Sequence, residues 1–217
     1  MQILKEDFAG FDAQLIIMDV VPWMLPYYEA SGIQFEIEDN RDYMDYTFTP
    51  EQFLAGMDTQ DDRYRYNYFK RRFAYETEEI TPFHREEIRE FMEREWCGEK
   101  TCEECHCGCL LRVIDNLVPV FDKIRINGIL VRVEGKMAGL CIVSCRNGLG
   151  VYQYKNAVNR IKGINEYLLR ESFERYLQSA DTINYTEDMG VENLRYYKEH
   201  MAPAHTLLSK LTLTERG

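Results

Sequence analysis

The chain has 217 residues, of which 45% are hydrophobic and 13% aromatic, and a formal net charge of -11. A chain of this length buries roughly 70% of the surface that its unfolded form exposes, so it needs neither disulfides nor a metal to hold a core. The negative charge argues against a general DNA-binding or anionic-membrane surface, because clustered Lys and Arg are what neutralise phosphates.

No leader peptide or transmembrane segment is predicted. Residues 1–11 lack the basic-then-apolar order of a secretory signal. The longest apolar run, 15–25, is interrupted by Asp19 and Pro22, and it is shorter than the roughly 20 residues that cross a bilayer. We therefore expect a soluble, cytoplasmic protein whose seven cysteines are reduced thiols or metal ligands. Nothing in the sequence indicates the oligomeric state.

The first forty residues are predicted to form a strand, a helix and a strand. The run 12–21 is rich in Ile and Val, which favours a buried strand. Pro22 precedes a short helix over 23–30, and residues 33–38 alternate apolar and polar side chains as a strand does. This opening is too small to have a core of its own.

The middle of the chain mixes helices with one polar strand. Thr49-Pro50 is a helix start, with a cap residue followed by proline at the first helical position. A further element, of unspecified type, is predicted to start at 43–48. It is followed by helices at 51–57 and 63–73, an edge strand at 74–80, a helix at 84–96, and a helix from 110 that Pro119 bends or ends.

One basic run stands out against the acidic background. It consists of Arg63, Arg65, Lys70, Arg71 and Arg72. It could form a local anion-binding surface, but the ordinary interpretation is a solvated helix face.

The remaining elements predict a sheet covered by helices on both faces. Residues 129–135 and 137–145 predict an antiparallel hairpin, and Asn147-Gly148 marks the next turn. The elements that follow are strands at 150–158, 183–187 and 205–213, and helices at 163–177 and 191–201. Most of the sheet should be antiparallel.

The loop between the strand at 150–158 and the next helix is a candidate anion site. It consists of Arg160, Ile161, Lys162, Gly163, Ile164 and Asn165. The first N–H groups of a helix lack partners and favour an anion, and Gly163 would let the ligand approach the backbone closely. The loop has the form of the loop with which GNAT acyltransferases grip the pyrophosphate of acyl-CoA, except that Asn165 replaces a small residue. The alternative is a plain helix start with two cationic neighbours.

The stretch 183–203, INYTEDMGVENLRYYKEHMAP, is more specific. It resembles the signature Asn-x-x-Glu-Asp-x-Gly-x-x-x-Leu-Arg-x-x-Lys-x-x-x-x-Pro of the phosphatidylglycerol lysyltransferase C-terminal-domain family. Further segments resemble this family at 41–56, 67–73, 131–142 and 162–168. The resemblance covers about residues 41–217.

This resemblance implies a fold and a chemistry. The fold is of the α+β class and GNAT-like, a mixed, mostly antiparallel sheet flanked by helices. Residues 43–217 would form the GNAT-like domain, and 1–42 a short strand–helix–strand extension that remains of a first repeat. The chemistry is direct transfer of an acyl group from acyl-CoA, or of an aminoacyl group from tRNA, to an amine or lipid hydroxyl. The shortened first repeat and Asn165 favour an alternative, a non-catalytic, degenerate module that binds a ligand or a partner.

The same signature supplies candidate catalytic residues. Glu187 and Asp188 could hold an incoming amine or accept its proton. Arg195 and Lys198 lie three apart on one helix face and could meet a phosphate or carboxylate. The alternative is architectural, with the acidic pair capping the next helix and Arg195 pairing with it.

A cysteine cluster is a candidate zinc site. It contains Cys97, Cys102, Cys105, Cys107 and Cys109, and thiolates suit zinc. The spacing is not that of a standard zinc finger, so reduced thiols without metal are the alternative. If the cluster binds metal, purified protein should carry zinc in near-stoichiometric amount.

Overall fold

The computed structural model describes residues 15–97, 110–201 and 205–216. The chain divides into two compact units. The larger unit is Phe48–Tyr185, and the smaller unit comprises the residues up to Thr47 together with those from Thr186 onward.

The sheet of the larger unit is built from strands that the sequence predicts. Its strands are β4 (Tyr75–Glu79), β5 (Asn127–Val133), β6 (Lys136–Arg146), β7 (Leu149–Ala157) and β8 (Thr182–Asn184). Neighbours in space are β4-β5-β6-β7-β8. The first three pairings are antiparallel, whereas β8 runs parallel to β7. The predicted hairpin, the third strand and the mixed character of the sheet are confirmed.

Helices cover both faces of this sheet. The helices of the larger unit are α2 (Pro50–Gly56), α3 (Gln60–Arg72), α4 (Arg85–Met92), α5 (Leu110–Leu117) and α6 (Ile164–Ser172). Successive β7 side chains point to opposite faces. On one face Tyr154 contacts Met92 of α4, with its Oη 2.9 Å from the sulfur. On the other, Lys155 Nζ lies 2.8 Å from Asn165 Oδ1 of α6.

Local signals in the sequence explain where elements begin and turn. Thr49 caps α2 in a capping box with Gln52, and Pro50 occupies the first helical position. Between β5 and β6 the chain turns at Glu134 and Gly135, whose φ angles are 52° and 76°. A two-residue turn with both φ positive matches the twist of a hairpin.

Phe53 of α2 is the centre of an aromatic cluster in the larger unit. Its side chain is fully buried. Its ring centroid lies 5.2 Å from that of Tyr152, 5.8 Å from that of Phe173 and 5.6 Å from that of Tyr185. These partners belong to β7, the π-helical turn Phe173–Leu177 that continues α6, and the segment after β8, so one ring holds α2 against the sheet.

The smaller unit combines the beginning and end of the chain. Its elements are β1 (Ile16–Val20), α1 (Leu25–Glu29), β2 (Phe35–Asp39), β3 (Asp45–Phe48), α7 (Glu192–Met201), β9 (Thr206–Leu208) and β10 (Leu211–Glu215). β10 lies antiparallel between β1 and β2. It supplies Leu211 and Leu213 to a core with Val20, and so completes the opening that is too small by itself.

Two strand predictions for the C-terminal part are corrected. The predicted strand at 205–213 is two strands, because the chain leaves β9 at Ser209 and enters a different sheet as β10. The predicted strand at 183–187 ends at Asn184. Thr186 has a left-handed φ of 57°, which an extended strand cannot contain.

Replacing Phe53 by Ala should lower the free energy of unfolding by about 3–5 kcal/mol, because it leaves a cavity lined by the rings of Tyr152, Phe173 and Tyr185. Leu54→Ala is the matched control, because Leu54 follows Phe53 in the same helix but has an exposed side chain. Denaturant unfolding followed by circular dichroism measures both. Equal losses in the two variants would contradict the assignment of Phe53 as the centre of this core.

Candidate functional site

Asp188 is a buried carboxylate in the loop that leads into α7. None of its side chain is exposed. Its Oδ2 accepts hydrogen bonds from Arg41 Nη1 at 3.0 Å, Tyr46 Oη at 2.7 Å and Arg195 Nε at 3.0 Å. Its Oδ1 accepts from Arg195 Nη2 and from the Gly190 N–H, both at 2.9 Å. Five donors occupy the two oxygens.

These donors keep Asp188 ionised. Burial by itself would raise the pKa of the carboxyl, but the hydrogen bonds from Arg195, Tyr46 and the Gly190 N–H outweigh it and hold the pKa well below its usual range. An oxygen surrounded in this way has little capacity to take a proton from a substrate. The arrangement therefore suits an anchor between the loop, α7 and the segment before β3.

Arg195 and Lys198 face this loop from α7. Besides its two bonds to Asp188, Arg195 donates to Asp42 Oδ1 at 2.5 Å. Lys198 is only 3% exposed, and its Nζ donates to the carbonyl of Glu187 at 2.7 Å and to that of Thr186 at 3.2 Å. The spacing of three residues does put both cations on one helix face, and that face holds the backbone of the 186–188 loop.

Glu187 is differently placed from its neighbour. Its side chain is partly exposed, and its Oε2 lies 3.0 Å from Lys210 Nζ. Lys210 also lies 2.9 Å from Asp45 Oδ1. Burial opposes the ionisation of Glu187, but the hydrogen bond from Lys210 outweighs it, so that its pKa is lowered. Glu187 is an ionised carboxylate that a second cation or an amine can still reach.

The loop 160–165 lies between β7 and α6 in the larger unit. Arg160 is 78% exposed and its guanidinium is 3.8 Å from Glu95. Lys162 lies over two rings of α3, with its Nζ 4.7 Å from the centroid of Tyr64 and 5.3 Å from that of Tyr68. Both cations of the loop are therefore at the surface.

Two of the N–H groups of the loop donate to nearby backbone carbonyl groups. The N–H of Ile161 donates to the carbonyl of Val158 at 2.9 Å, and that of Ile164 donates to the carbonyl of Ile161 at 3.3 Å. Asn165 accepts from Lys155 at 2.8 Å. Burial lowers the pKa of Lys155, although the nearby carboxylate of Glu166 acts in the opposite direction. Lys155 thus ties β7 to the first turn of α6.

Glycine is required at position 163 for packing, which the sequence did not reveal. It has a φ of 88°, and a side chain there would collide with the carbonyl oxygen of Arg65 and come within 3.0 Å of Phe69 Cβ, both on α3. The missing side chain lets α3 approach the start of α6. Gly163 is therefore required for packing, and a larger residue there would disturb the fold as well as any ligand site.

The predicted zinc cluster falls largely outside the described residues. Cys102, Cys105, Cys107 and Cys109 are not among them, and neither is the side chain of Cys97. Within residues 15–97, 110–201 and 205–216 no group of three or more His, Cys, Asp or Glu is arranged to hold a metal ion. The cysteine prediction stays a prediction.

The structure adds residues that sequence reasoning missed. Arg41 and Tyr46 reach Asp188 across more than a hundred residues of chain, and Lys210 lies beyond the signature that contains Glu187. No periodicity joins such positions. The one available signal was that 41–56 and the signature belong to the same family resemblance.

Comparison with known proteins gives a family and a fold. The family model described as phosphatidylglycerol lysyltransferase, C-terminal, matches residues 1–209. Among solved structures, a conserved protein of unknown function from Bacteroides thetaiotaomicron is 22% identical over 99% of this chain and 74% of that chain, with a TM-score of 0.77. L-PGS from Bacillus licheniformis is 14% identical over 99% of this chain and 72% of that chain, with a TM-score of 0.66. A tandem GNAT protein from the clavulanic acid biosynthesis pathway is 10% identical over 97% of this chain and 66% of that chain, with a TM-score of 0.56. A search of curated proteins gave no match.

The protein has a GNAT-like fold. This fold is defined by a hairpin that is followed by β7, a loop, α6 and a parallel β8, with helices on both faces of the sheet. The chain belongs to the phosphatidylglycerol lysyltransferase C-terminal family. The description of this family is that of a lysyltransferase, an enzyme that transfers a group. The match begins at residue 1, so it extends further toward the N-terminus than the resemblance that starts near 41. No helix among the described residues is long and apolar enough to cross a membrane.

Asp188 should make stability depend on pH. Its pKa is lower folded than unfolded, so its contribution is complete above the unfolded value of about 4 and is lost as the pH falls below that. Asp188→Asn should cost about 3–5 kcal/mol at neutral pH, because it removes the buried charge that two arginines share. It should also reduce the loss of stability that occurs as the pH falls below about 4.

Thermal unfolding at several pH values measures this effect. Glu192→Gln is the matched control, because Glu192 is an exposed carboxylate in the first turn of α7. If stability of Asp188→Asn fell with pH as steeply as that of the unaltered protein, the buried carboxylate would not be ionised as described.

Gly163→Ala should destabilise the protein more than Gly135→Ala. Both glycines have positive φ, so each variant carries about 1–2 kcal/mol of backbone strain. A side chain at Gly135 meets nothing within 4 Å, whereas one at Gly163 meets α3, which adds about 1–3 kcal/mol. Denaturant titration of both variants measures the difference. Equal losses would mean that α3 does not pack against Gly163.

Proposed function

We propose that this chain is a transferase that moves an acyl or aminoacyl group from a thioester or tRNA donor to an amine or a lipid hydroxyl. The observation that carries the proposal is the loop 160–165, which leaves the end of β7 and opens α6 with two exposed cations. Membership in the lysyltransferase C-terminal family agrees with a group-transfer reaction.

The donor would lie where β7 and β8 separate. The two strands pair only over residues 149–151 of β7 and 182–184 of β8. β7 continues to Ala157, and among the described strands no other one pairs with that edge. Free backbone N–H groups on a strand edge can bind the carbonyl oxygen of a donor and stabilise the negative charge that develops on it. The loop, with Arg160 and Lys162, would hold the donor phosphates.

The reaction needs no nucleophile from the protein. The nitrogen or oxygen of the acceptor attacks the donor carbonyl carbon, and the bond from that carbon to sulfur, or to the ester oxygen of tRNA, breaks. The acceptor loses one proton, and the departing thiolate or alkoxide gains one. Catalysis would come from positioning and from stabilisation of the oxyanion.

Of the acidic pair, Glu187 in the smaller unit is the residue that could still bind a cation. It is partly exposed and ionised, so an ammonium group could pair with it. Asp188, Arg195 and Lys198 would act as positioning residues, because their polar atoms are engaged with one another and with the 186–188 backbone. Glu187 would depend on this scaffold, since Lys198 bonds to its carbonyl.

One observation favours the second candidate, a non-catalytic binding module. Three of the four residues expected to be catalytic make internal contacts that explain their presence without a substrate. A module of this kind would bind a ligand at the loop but would not transfer a group.

Arg160→Ala should weaken binding of a phosphate-bearing donor by about 1.5–3 kcal/mol, the value of a hydrogen bond between charged groups. Calorimetry with acyl-CoAs, aminoacyl-tRNA and anionic phospholipid headgroups measures it. The matched control is Arg146→Ala, because Arg146 is an exposed arginine at the opposite end of the β6–β7 hairpin. Absence of binding by all three ligand classes, or equal binding by the two variants, would contradict the proposal. Binding without transfer would support the non-catalytic module.

A further inference from the structure

Lys155 of β7 carries an amino group that the reaction proposed above does not use. The residue is only partly exposed, and burial lowers its pKa, because the charged form is poorly solvated there. An ammonium group has three N–H donors. Among the described residues its Nζ donates to one side chain, the Oδ1 of Asn165 at 2.8 Å, so donors remain for a ligand.

Two other lysines that are largely buried have several partners each. Lys198 Nζ donates to two backbone carbonyl groups and a threonine hydroxyl. Lys210 Nζ lies within 3.0 Å of two different carboxylates. Lys155, by contrast, forms no ion pair with any residue that the structure describes.

Glu166 of α6 does not act as the missing counter-ion. Its carboxylate lies 3.5 Å from Arg65 Nη1 of α3, and it raises the pKa of Lys155 by less than burial lowers it. A cation that is removed from water without a counter-ion is costly. In a protein of net charge -11, acidic side chains are abundant, so a cation without one indicates an anionic ligand.

Polar side chains surround the amino group of Lys155. Lys155 pairs in register with Cys141 of β6, which is fully buried. Asn165 and Ser172 are seven residues apart and therefore lie on one face of α6. The hydroxyl of Ser172 is fully buried beside the Cys141 thiol, and it has no nitrogen or oxygen partner among the described residues. We call these four side chains the Lys155 pocket.

A β-bulge in β7 brings the Lys155 pocket to the free edge of that strand. Gln153 is an extra residue between two successive pairs of β6 with β7. Bulges redirect side chains and interrupt the ladder, often beside active sites. Because of this bulge, Tyr152 and Lys155 both point toward α6, where they bond to a backbone carbonyl and to Asn165. Both lie beyond the residues that pair with β8, on the stretch proposed to bind the donor carbonyl.

We propose that the Lys155 pocket binds a carboxylate on the acyl group of the donor. The transferred group is then a short dicarboxylic acyl group or an acidic aminoacyl group. Lys155 donates to the carboxylate, the Ser172 hydroxyl supplies a further donor, and the N-terminal end of α6 favours the negative charge. The inference rests on the proposed function, because it needs the donor to lie along β7, and it adds the chemical class of the transferred group.

Isothermal titration calorimetry with two thioesters of equal chain length tests the proposal. Succinyl-CoA carries the second carboxylate and butyryl-CoA does not, so the contacts of the CoA moiety are the same in both. The unaltered protein should bind succinyl-CoA at least about tenfold more tightly, as expected for a charge-assisted hydrogen bond. One tRNA charged with glutamate or with glutamine gives the same comparison for an aminoacyl donor.

Two variants should remove this preference. Lys155→Met keeps a long, flexible side chain but has no charge. Asn165→Asp gives Lys155 an internal counter-ion that competes with the ligand. Lys123→Met is the matched control, because Lys123 is an exposed lysine in the turn before β5, and it should change the ratio of the two affinities less than about twofold. Circular dichroism checks that each variant is folded, and the ratio is unaffected by a general loss of donor binding.

Three results would overturn the proposal. The first is equal binding of the carboxylate-bearing and the neutral donor, the second is tighter binding of the neutral donor, and the third is a preference that persists in Lys155→Met. The fate of the proposed function is read separately from the neutral donor. If butyryl-CoA binds and succinyl-CoA binds no better, the pocket is wrong and the donor site stands; if no thioester and no charged tRNA binds, both fail.

Discussion

The smaller unit depends on one buried ion cluster, the carboxylate of Asp188 with the guanidinium groups of Arg41 and Arg195. A carboxylate without exposure to water is stable only when its oxygens are fully hydrogen-bonded, and here five donors meet that need. The donors come from both ends of the chain. One ion cluster thus fixes how the first forty-odd residues and the last thirty are joined.

The loop that carries Asp188 is itself unusual backbone. Thr186, Met189 and Gly190 have φ angles of 57°, 53° and 71°, and a β-branched residue such as Thr186 rarely adopts positive φ. Strain of this kind persists only where the surroundings determine the conformation. Lys198 supplies part of that determination through the carbonyls of Thr186 and Glu187. The arrangement leaves Glu187 at the surface while its neighbour is buried, which separates the roles of two adjacent carboxylates.

In the larger unit the corresponding constraint is the contact of Gly163 with α3. Because the carbonyl oxygen of Arg65 occupies the place of a side chain, the start of α6 and the loop before it are held against a rigid helix. That helix brings its own cations to the loop. In the sequence, Gly163 suggested a ligand-binding role. In the structure it acts first through packing, because it lets the loop 160–165 and α3 lie against each other.

The sequence predicted the fold well where local patterns decide it. The hairpin of β5 and β6, the strand β7 and the helix after Gly163 follow from alternation, turn residues and amphipathic spacing, all of which are local. It failed at Ser209, where a continuous apolar alternation divides between two sheets, because sheet membership depends on partners distant in sequence. The sequence also could not separate Glu187 from Asp188, because Asp188 is buried by long-range contacts with Arg41 and Tyr46, whereas Glu187 pairs with Lys210. The motif identified the loop 160–165 as a candidate site, but it did not predict that α3 packs against this loop.

The loop 160–165 is the proposed donor site, and hydrogen exchange of its backbone amides tests that proposal most directly. The amides of residues 160–166 should exchange more slowly when acyl-CoA or aminoacyl-tRNA is added at saturating concentration, while those of the β6–β7 turn at Asn147 and Gly148 should not change. Unchanged exchange throughout 160–166 with every donor would contradict the assignment of the loop as the donor site.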